Sequence, residues 1–427
     1  MADHGETVRD HGARHPAGAP AADGRRDHVD TRLAHAGHDP RGFHGFVNPP
    51  VVHASTVLFE TVEGTRANTQ PYRYGRRGTP TTDALCRMIC ELEGAERTVL
   101  APSGLAAVAL ALLSVTAAGD RVLVADSVYA PTRRICDTVL SRYGVRTTYF
   151  DPGDETAFGA LLSDPPAAVF LEAPGSVTFD VPDIPSLAAA ARSAGARVLM
   201  DNTWATPLYF RPLEHGVDLS IQAGTKYFSG HSDLLIGSIA GSGDAIATVA
   251  DTGLALGTNV GPDDVFMTLR GIRTLSVRLA RHQENGLAVA RWLAGQPVIH
   301  RVLHPALPGA PGHESWKRTF RGASGLFAIV FRDVPREAVE AFVDGLRLFG
   351  IGYSWGGFES LAVVQDVAAQ RSATRWDRRD QLVRLHVGLE DPADLIADLA
   401  EGLDRLARAA AATGPERADP PHLATGA

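Results

Sequence analysis

Short apolar segments alternate with helix-like segments through the first half of the chain, and no other feature of the sequence constrains the fold as strongly. The apolar segments predict strands at 97–101, 121–125, 146–150, 167–172, 197–201 and 218–221. The segments between them predict helices, chiefly at 82–93, 104–116, 132–143 and about 185–194. Because the strands are apolar throughout, both faces of their sheet must be covered, which predicts an α/β domain with a large, mostly parallel sheet. Ligands of such sheets bind beyond the carboxyl ends of the strands.

The pattern changes near residue 275, where long helices and then short strands at about 325–332 and 382–388 are predicted. This change indicates a smaller C-terminal α+β domain. Both chain ends are rich in small and polar residues without apolar periodicity, which predicts disorder. The expected organisation is a disordered arm (1–28), an N-terminal segment (29–80), a large domain (81–272), a small domain (273–409) and a disordered tail (410–427).

Composition excludes several classes of function. The 427 residues carry a formal net charge of -8 without a basic stripe, which disfavours nucleic-acid binding. Three cysteines, Cys86, Cys90 and Cys136, are too few and odd in number for a disulfide framework, and their spacing favours core packing over a metal site. No signal-peptide pattern opens the chain, and no uncharged apolar run reaches the ~20 residues that span a bilayer. We therefore expect a cytoplasmic enzyme that uses no metal and binds no membrane.

Lysine is almost absent from this chain. Of 41 lysine and arginine residues only Lys226 and Lys317 are lysines. Arginine replaces lysine as a charge, but its guanidinium stays protonated and cannot act as an amine nucleophile. Lys226 follows an apolar strand, where a lysine retained for covalent chemistry with a carbonyl group would be well placed. The alternative is a chance survivor of biased composition, which is our interpretation of Lys317.

Other polar residues also follow predicted strands. Ser103, Gly104 and Leu105 open an apolar helix, whose free N–H groups could hold a phosphate, although Ser103 could equally be an ordinary N-cap. Asp201 ends a strand and could accept a hydrogen bond from a protonated ring nitrogen, or could cap a turn. Tyr129 could stack on a planar cofactor and relay a proton, or could be a half-buried aromatic.

Two arginines complete the set of candidates. Tyr74 and Arg76 lie in a glycine-flanked loop suited to reach an anion, with an exposed basic turn as the alternative. Arg384 lies on a mostly apolar strand, where it needs a partner: a substrate carboxylate or a structural salt bridge. A nucleophilic lysine, a phosphate loop, a ring-nitrogen aspartate, a stacking tyrosine and a carboxylate-binding arginine together indicate a pyridoxal-phosphate enzyme acting on amino acids. A nicotinamide oxidoreductase is disfavoured, because no Gly-x-Gly-x-x-Gly follows the first strand.

Several segments resemble the Cys/Met-metabolism family of pyridoxal-phosphate enzymes, and within it the bacterial cystathionine β-lyases. The resemblance covers about residues 30–408 and is carried by segments 74–79, 200–205, 220–227, 230–233, 353–360 and 385–391. It implies the aspartate-aminotransferase-like fold, known as fold type I. It also implies that Lys226 binds pyridoxal 5'-phosphate covalently and moves protons between the substrate Cα and the leaving group.

The resemblance implies roles for the other candidates as well. Asp201 would pair with the pyridine nitrogen and Tyr129 would stack on the ring, while the phosphate would be held by Ser103, Gly104, Leu105 and Thr225. Arg384 and Ser354 would bind the substrate α-carboxylate. Tyr74 and Arg76 would reach into the site of a neighbouring subunit, which implies catalytic dimers paired into a homotetramer.

The sequence Tyr-Ser-Trp at 353–355 favours one reaction within the family. By resemblance, Trp355 confines Lys226 near Cα and so favours α,β-elimination, which would convert L-cystathionine and water into L-homocysteine, pyruvate and ammonia in methionine synthesis. Departures from the family pattern at Gly224, Ser103 and Phe358 leave open another cysteine S-conjugate as substrate. A cystathionine γ-lyase, a γ-synthase and a non-catalytic protein of the same fold are the alternatives.

Overall fold

The structure is a computed structural model that describes residues 27–67 and 69–413. The predicted disordered arm and tail lie almost wholly outside these residues. The last helix, Pro392–Thr413, runs four residues into the range predicted for the tail, so that boundary is wrong. The helix extends past residue 409 because its apolar face packs in the core of the C-terminal unit: Leu395, Leu399 and Leu406 are fully buried there, and Ala409 and Ala410 pack against the same core.

The elements follow the predicted alternation. The strands are β1 Arg97–Ala101, β2 Arg121–Ala125, β3 Arg146–Phe150, β4 Ala168–Glu172, β5 Arg197–Asp201, β6 Leu219–Gln222, β7 Gly237–Gly241, β8 Arg301–Leu303, β9 Leu326–Arg332, β10 Gly350–Ile351, β11 Leu361–Gln365 and β12 Asp380–His386. The helices are α1 Val29–His35, α2 Val62–Ala67, α3 Pro80–Glu93, α4 Gly104–Ser114, α5 Ala130–Arg134, α6 Glu155–Leu161, α7 Ile184–Ser193, α8 Thr206–Tyr209, α9 Gly243–Leu256, α10 Pro262–Ile272, α11 Leu275–Ala294, α12 His313–Thr319, α13 Arg336–Asp344 and α14 Pro392–Thr413.

The first seven strands form one sheet in the order β1-β7-β6-β5-β4-β2-β3. Strands β3, β2, β4, β5 and β6 are parallel, and β7 runs antiparallel between β6 and β1. The prediction of a mostly parallel sheet is confirmed. The central strands are buried along their length because helices such as α4 and α7 cover their faces. The carboxyl ends of the parallel strands therefore meet at one edge, where Glu172 and Asp201 are neighbours in the register.

One predicted helix has a different form. The segment predicted as a helix over 132–143 begins at Ala130 and changes at Ile135 into the π-helical turn Ile135–Leu140. The wider turn buries Ile135, Cys136 and Leu140 against the large-sheet core. Sequence periodicity alone does not distinguish this turn from an α-helix.

The small sheet has the order β10-β11-β12-β9-β8 and is antiparallel except for the short β10–β11 pair. Helices α11 and α13 pack on it, and α14 packs on these two helices, around a buried core that includes Phe327, Phe331 and Phe342. This arrangement confirms the predicted smaller C-terminal α+β unit. Within the part of the chain that the structure describes, no helix is long and apolar enough to cross a membrane, and no cluster of side chains could hold a metal ion.

Asp126, just beyond the carboxyl end of β2, joins the large sheet to the segment that connects β11 to β12. Its buried carboxylate accepts hydrogen bonds from the backbone N–H groups of Ser372 and Thr374, from both of their hydroxyls, and from Arg133. Burial alone would raise the pKa of Asp126, but these hydrogen bonds lower it to about 2. A segment of the small domain is thus fixed against the edge of the large sheet that faces the candidate site.

Candidate active site

Lys226 lies in the turn between β6 and β7, past the carboxyl edge of the large sheet. Its N–H donates to the carbonyl of Ala223, and its own carbonyl accepts from Gly230. The Nζ atom lies 2.8 Å from the Ser354 hydroxyl and 5.4 Å from the centre of the Trp355 ring. Burial and the neighbouring Arg384 charge lower the pKa of Lys226 to about 8, although Asp201 acts in the opposite direction. An amine with this pKa is nucleophilic near neutral pH.

Asp201 is held at the end of β5 by Thr203. Its Oδ1 accepts the N–H of Thr203 at 2.9 Å and the hydroxyl of Thr203 at 2.5 Å. Among the described residues, Oδ2 accepts no hydrogen bond. Burial raises the pKa of Asp201, and the Thr203 hydrogen bonds and the Lys226 charge oppose that rise. The second carboxylate oxygen is therefore available to a protonated partner.

Tyr129 lies near the carboxylates of Glu172 and Asp201. Its N–H donates to Oε2 of Glu172 at 2.7 Å, which fixes the backbone while the side chain remains 47% exposed. Burial first, and then the nearby Glu172 charge, raise the pKa of the Tyr129 phenol, so it is protonated at neutral pH. An exposed aromatic face next to a buried aspartate suits a planar ring.

The start of α4 packs directly on the turn that precedes Lys226. The hydroxyl of Ser103 caps the helix by accepting the N–H of Ala106 at 3.1 Å, which realises the ordinary N-cap alternative. The N–H groups of Gly104 and Leu105 donate to no acceptor in the described part of the chain, so they are available to an anion. A Cβ at Gly104 would lie only 2.4 Å from the Cβ of Ala223, so glycine is needed for this close approach.

Thr225 lies on the same side of this turn, but its hydroxyl has protein partners. It accepts the N–H of Ile236 at 3.0 Å and donates to the carbonyl of Ile236 at 3.2 Å. The predicted contact of Thr225 with a phosphate stays a prediction.

Arg384, on β12, is buried without a carboxylate. Its Nη2 donates to the carbonyls of Gly352, Tyr353 and Ser354 at 3.0–3.3 Å, and no acidic side chain of the described residues pairs with it. The alternative of a structural salt bridge is therefore not realised. Burial lowers the pKa of Arg384 to about 10, which leaves it positively charged. A buried guanidinium partnered by neutral carbonyls is suited to bind an added carboxylate.

Tyr74 and Arg76 make no hydrogen bond or ring contact with Lys226 among the described residues. Arg76 donates to the carbonyl of Leu254 in α9 at 2.8 Å, and its guanidinium lies 6.0 Å from the ring of Tyr74. Tyr74 is 44% exposed. Their proposed place in a neighbouring subunit's site stays a prediction.

Comparisons with known proteins decide the family. Residues 30–404 match the model of the Cys/Met metabolism PLP-dependent enzymes. This chain belongs to that family. A Rhizobium johnstonii protein that carries the provisional name cystathionine beta-lyase is 51% identical over 88% of this chain and 95% of its own length. Cystathionine beta-lyase MetC of Escherichia coli is 43% identical over 88% of this chain and 98% of its own.

The fold matches as well. The structure of cystathionine gamma synthase from Xanthomonas oryzae pv. oryzae, in complex with aminoacrylate and cysteine, has a TM-score of 0.83 and 32% identity. The match covers 90% of this chain and all of that structure. The predicted fold type I architecture is confirmed.

The residues of this site fit the family's cofactor. The open N-terminus of α4 and the glycine cradle at Gly104 suit a phosphate, and the free oxygen of Asp201 suits a protonated ring nitrogen. The exposed ring of Tyr129 and the low-pKa amine of Lys226 complete the set. The donors and acceptors correspond to the phosphate, the ring nitrogen, the ring face and the aldehyde of pyridoxal phosphate.

Two polar residues of the site, Glu172 and Thr203, are not among the site residues predicted from the sequence. Burial and the adjacent Asp201 hold the pKa of Glu172 well above its usual range. Glu172 ends β4 as Asp201 ends β5, so a polar residue closing an apolar strand is the signal that could have found it. Thr203 has no such signal, since only the fold places its hydroxyl between Asp201 and the N–H of Ala223.

Proposed function

We propose that the protein is a pyridoxal-phosphate-dependent carbon–sulfur β-lyase that cleaves L-cystathionine, or a related cysteine S-conjugate. With cystathionine and water, the products would be L-homocysteine, pyruvate and ammonia. The observation that carries the proposal is the Lys226 amine, which has a pKa of about 8 and lies against Ser354 and Trp355.

Arg384 orients the substrate. Its guanidinium takes the α-carboxylate, for which it has no competing acidic partner among the described residues. Since its Nη2 also donates to the carbonyl of Ser354, the carboxylate is placed on the loop that contacts Lys226. Cα is thereby held near the amine.

Lys226 moves the protons. An amine whose pKa lies close to the working pH can take a proton from Cα and return one to the departing sulfur. Pyridoxal phosphate, when bound, supplies an electron-withdrawing ring that stabilises the charge left at Cα. Asp201 would stabilise a proton on the ring nitrogen, and the exposed ring of Tyr129 would be available to stack on the cofactor.

The comparisons support β-elimination over the alternatives. The relatives named as β-lyases are 43% and 51% identical to this chain, whereas the matched γ-synthase structure is 32% identical. Trp355 beside the amine supports the same choice, because its bulk limits how far Lys226 can reach along the substrate.

The test is a substrate panel scored by keto-acid identity. Purified protein loaded with pyridoxal phosphate should release pyruvate and a thiol from L-cystathionine. Production of 2-oxobutyrate and cysteine would replace the proposal with a γ-lyase, and cystathionine formation from an activated homoserine ester and cysteine would replace it with a γ-synthase. Absence of turnover on every substrate would leave the non-catalytic alternative.

The quaternary arrangement is part of the same proposal. Tyr74 and Arg76 would complete the site of the neighbouring subunit, in catalytic dimers that pair into a cytoplasmic homotetramer. The support is that both residues are exposed and that the guanidinium of Arg76 is hydrogen-bonded to the carbonyl of Leu254 in α9.

Mixing two inactive variants tests this arrangement. Arg76→Ala and Lys226→Arg subunits, co-refolded, form mixed dimers in which one site has both Lys226 and Arg76 only if Arg76 acts across the interface. Activity should reappear in the mixture. Persistent inactivity, with mixed dimers shown by native mass spectrometry, would place Arg76 outside the neighbouring site.

A further inference from the structure

The loop of residues 352–357, here called the site loop, packs closely against the backbone of Lys226. It carries Ser354 and Trp355, which contact the Lys226 amine. At its end Gly356 has a φ of 88°, and a Cβ there would lie 2.9–3.0 Å from the backbone of Lys226 and Tyr227. Both the left-handed conformation and the close contact require glycine. A shift of the site loop would therefore change what surrounds the lysine amine.

Two residues on one face of β12 hold the site loop from beneath. Residues two apart on a strand point to the same side, so Arg384 and His386 face the loop together. Arg384 donates to the carbonyls at the start of the loop. His386 accepts the N–H of Gly356 on its Nε2 at 3.0 Å. Hydrogen bonds therefore hold both ends of the loop: Arg384 is the donor at its start, and His386 is the acceptor at its end.

The chemistry of this second contact fixes the state of the His386 ring. A backbone N–H can only donate, so Nε2 carries no proton, and the carbonyl of Gly357 at 3.2 Å from the same atom receives no hydrogen bond. The neutral ring then carries its proton on Nδ1. Burial, with the neighbouring His282, holds the pKa of His386 well below its usual range, so the acceptor state persists at neutral pH.

The buried rings of His282 and Tyr227 pack around the His386 ring and restrict its orientation. His282 lies 5.3 Å and Tyr227 lies 6.3 Å from His386, measured between ring centroids. His282 is fixed in turn by donating its Nδ1–H to the carbonyl of Val387 at 2.9 Å, which leaves its Nε2 as an acceptor. The Nδ1–H of His386 and the Nε2 of His282 are a buried donor and a buried acceptor, and neither has a partner among the described residues. Neither His282 nor His386 has a role in the proposed β-elimination.

We propose that His386 is a positioning residue that holds the site loop through the Gly356 N–H and so keeps Ser354 and Trp355 against the Lys226 amine. It touches neither substrate nor cofactor in this role. The Arg384 end of the loop responds to a bound carboxylate, while the His386 end stays fixed. Loss of His386 should loosen the Trp355 end and leave the carboxylate contact in place.

Amide hydrogen exchange of the cofactor-free protein tests the hydrogen bond without reference to any reaction. In His386→Leu a peptide covering residues 352–358 should exchange about 3- to 10-fold faster than in the wild type, the range expected for one lost hydrogen bond. His386→Gln, whose side-chain oxygen reaches the position of Nε2, should restore slow exchange. If His386→Leu does not fold, His386→Met fills similar space with a weak acceptor and carries the same prediction.

His304 supplies the matched control. It is also a fully buried histidine of the C-terminal half, and its Nδ1 accepts the backbone N–H of Ala306 at 3.2 Å, while its ring packs near Phe327 of β9. His304→Leu should leave exchange over 352–358 unchanged. Unchanged exchange in the His386 variants, or equal acceleration in His304→Leu, would overturn the proposal.

A kinetic measurement provides a second test, which rests on the proposed function and is independent of the exchange measurement. With the β-elimination substrate, His386→Leu should lower kcat about 10-fold with a smaller change in KM, because the amine is displaced while Arg384 still binds the carboxylate. His386→Gln should recover most of kcat. A failure of the proposed function would remove this second test only, whereas a change confined to KM would contradict the positioning role.

Discussion

The two sheets contribute to the site in different ways. The large sheet supplies Asp201 and Tyr129 at or just after the carboxyl ends of parallel strands, and Lys226 in the next turn of the chain. The small sheet supplies Arg384 from within a strand, and Ser354 and Trp355 from a loop that this strand holds. The large sheet therefore defines where a cofactor can lie, and the small sheet defines what is placed over the lysine amine.

This division predicts that a variant of Lys226 or Asp201 should lose cofactor chemistry and that a variant of Arg384 should lose substrate binding, whereas a variant of His386 should displace the lysine amine. Substitutions at these positions, and the pH dependence of cofactor capture, can test that separation.

Replacement of Lys226 by arginine should abolish turnover. Arg keeps the charge but cannot form a covalent bond with the cofactor aldehyde, so kcat should fall by at least about a thousand-fold. Borohydride should no longer fix pyridoxal phosphate to the protein, as measured by intact-mass spectrometry. Lys317→Arg is the control, because Lys317 is exposed on α12, and it should behave as wild type. Near-normal activity in Lys226→Arg would overturn the assignment.

Asp201→Asn should reduce kcat by about 100-fold, since the amide no longer stabilises a proton on the ring nitrogen. KM should change far less, because substrate recognition belongs to the small sheet. Asp218→Asn is the matched control: Asp218 lies at the amino edge of the large sheet, where it accepts the N–H of Val198 at 2.7 Å. An effect of similar size in both variants would point to general destabilisation.

Arg384→Lys should act in the opposite sense, raising KM about 10-fold or more with a smaller change in kcat. The ammonium keeps the charge but loses the planar pair of donors that matches a carboxylate. Arg332→Lys serves as control, because Arg332 pairs with Asp380 at 2.7 Å elsewhere on the small sheet. A loss confined to kcat would break the proposed division of roles.

The capture of pyridoxal phosphate by cofactor-free protein should depend on pH. Only the neutral amine reacts, and the pKa of Lys226 is about 8, so the rate should rise with pH up to about 8 and then level off. Stopped-flow absorbance measures this rate. Asp201→Asn should move the midpoint to lower pH, because the Asp201 charge raises the pKa of Lys226. A rate that keeps rising to pH 10 would mean that the pKa of Lys226 is not lowered in the folded protein.

Thr374→Val should have the smallest effect, and on stability alone. It removes one hydrogen bond to Asp126, which should lower the free energy of unfolding by about 1 kcal/mol at pH 7 without changing kcat. Because folding lowers the pKa of Asp126, its contribution is present above about pH 4 and is lost as the pH falls towards 2. Thermal unfolding should therefore show a clearly larger difference between variant and wild type at pH 7 than at pH 2.

The large sheet was largely predictable because its strands are short, apolar and separated by helices. Strands β1, β2, β3 and β5 have the predicted bounds, and β4 and β6 differ by one residue at their ends. The antiparallel strand β7 was not predicted, since Gly237–Gly241 is small and glycine-bounded and lacks a strong β pattern. The π-helical turn at Ile135–Leu140 was predicted as an α-helix because apolar periodicity is nearly the same in both.

The sequence by itself determined the fold class, the family resemblance and the candidates at strand ends, because apolar runs and the residues that end them are local features of a chain. The tertiary structure alone decided that Arg384 has no acidic partner within residues 27–67 and 69–413, that Ser354 meets Lys226 across 128 positions of sequence, and that His386 accepts the N–H of Gly356. These contacts depend on how the small sheet packs against the large one. No local pattern encodes that packing, which results from burying the apolar faces of both sheets at once.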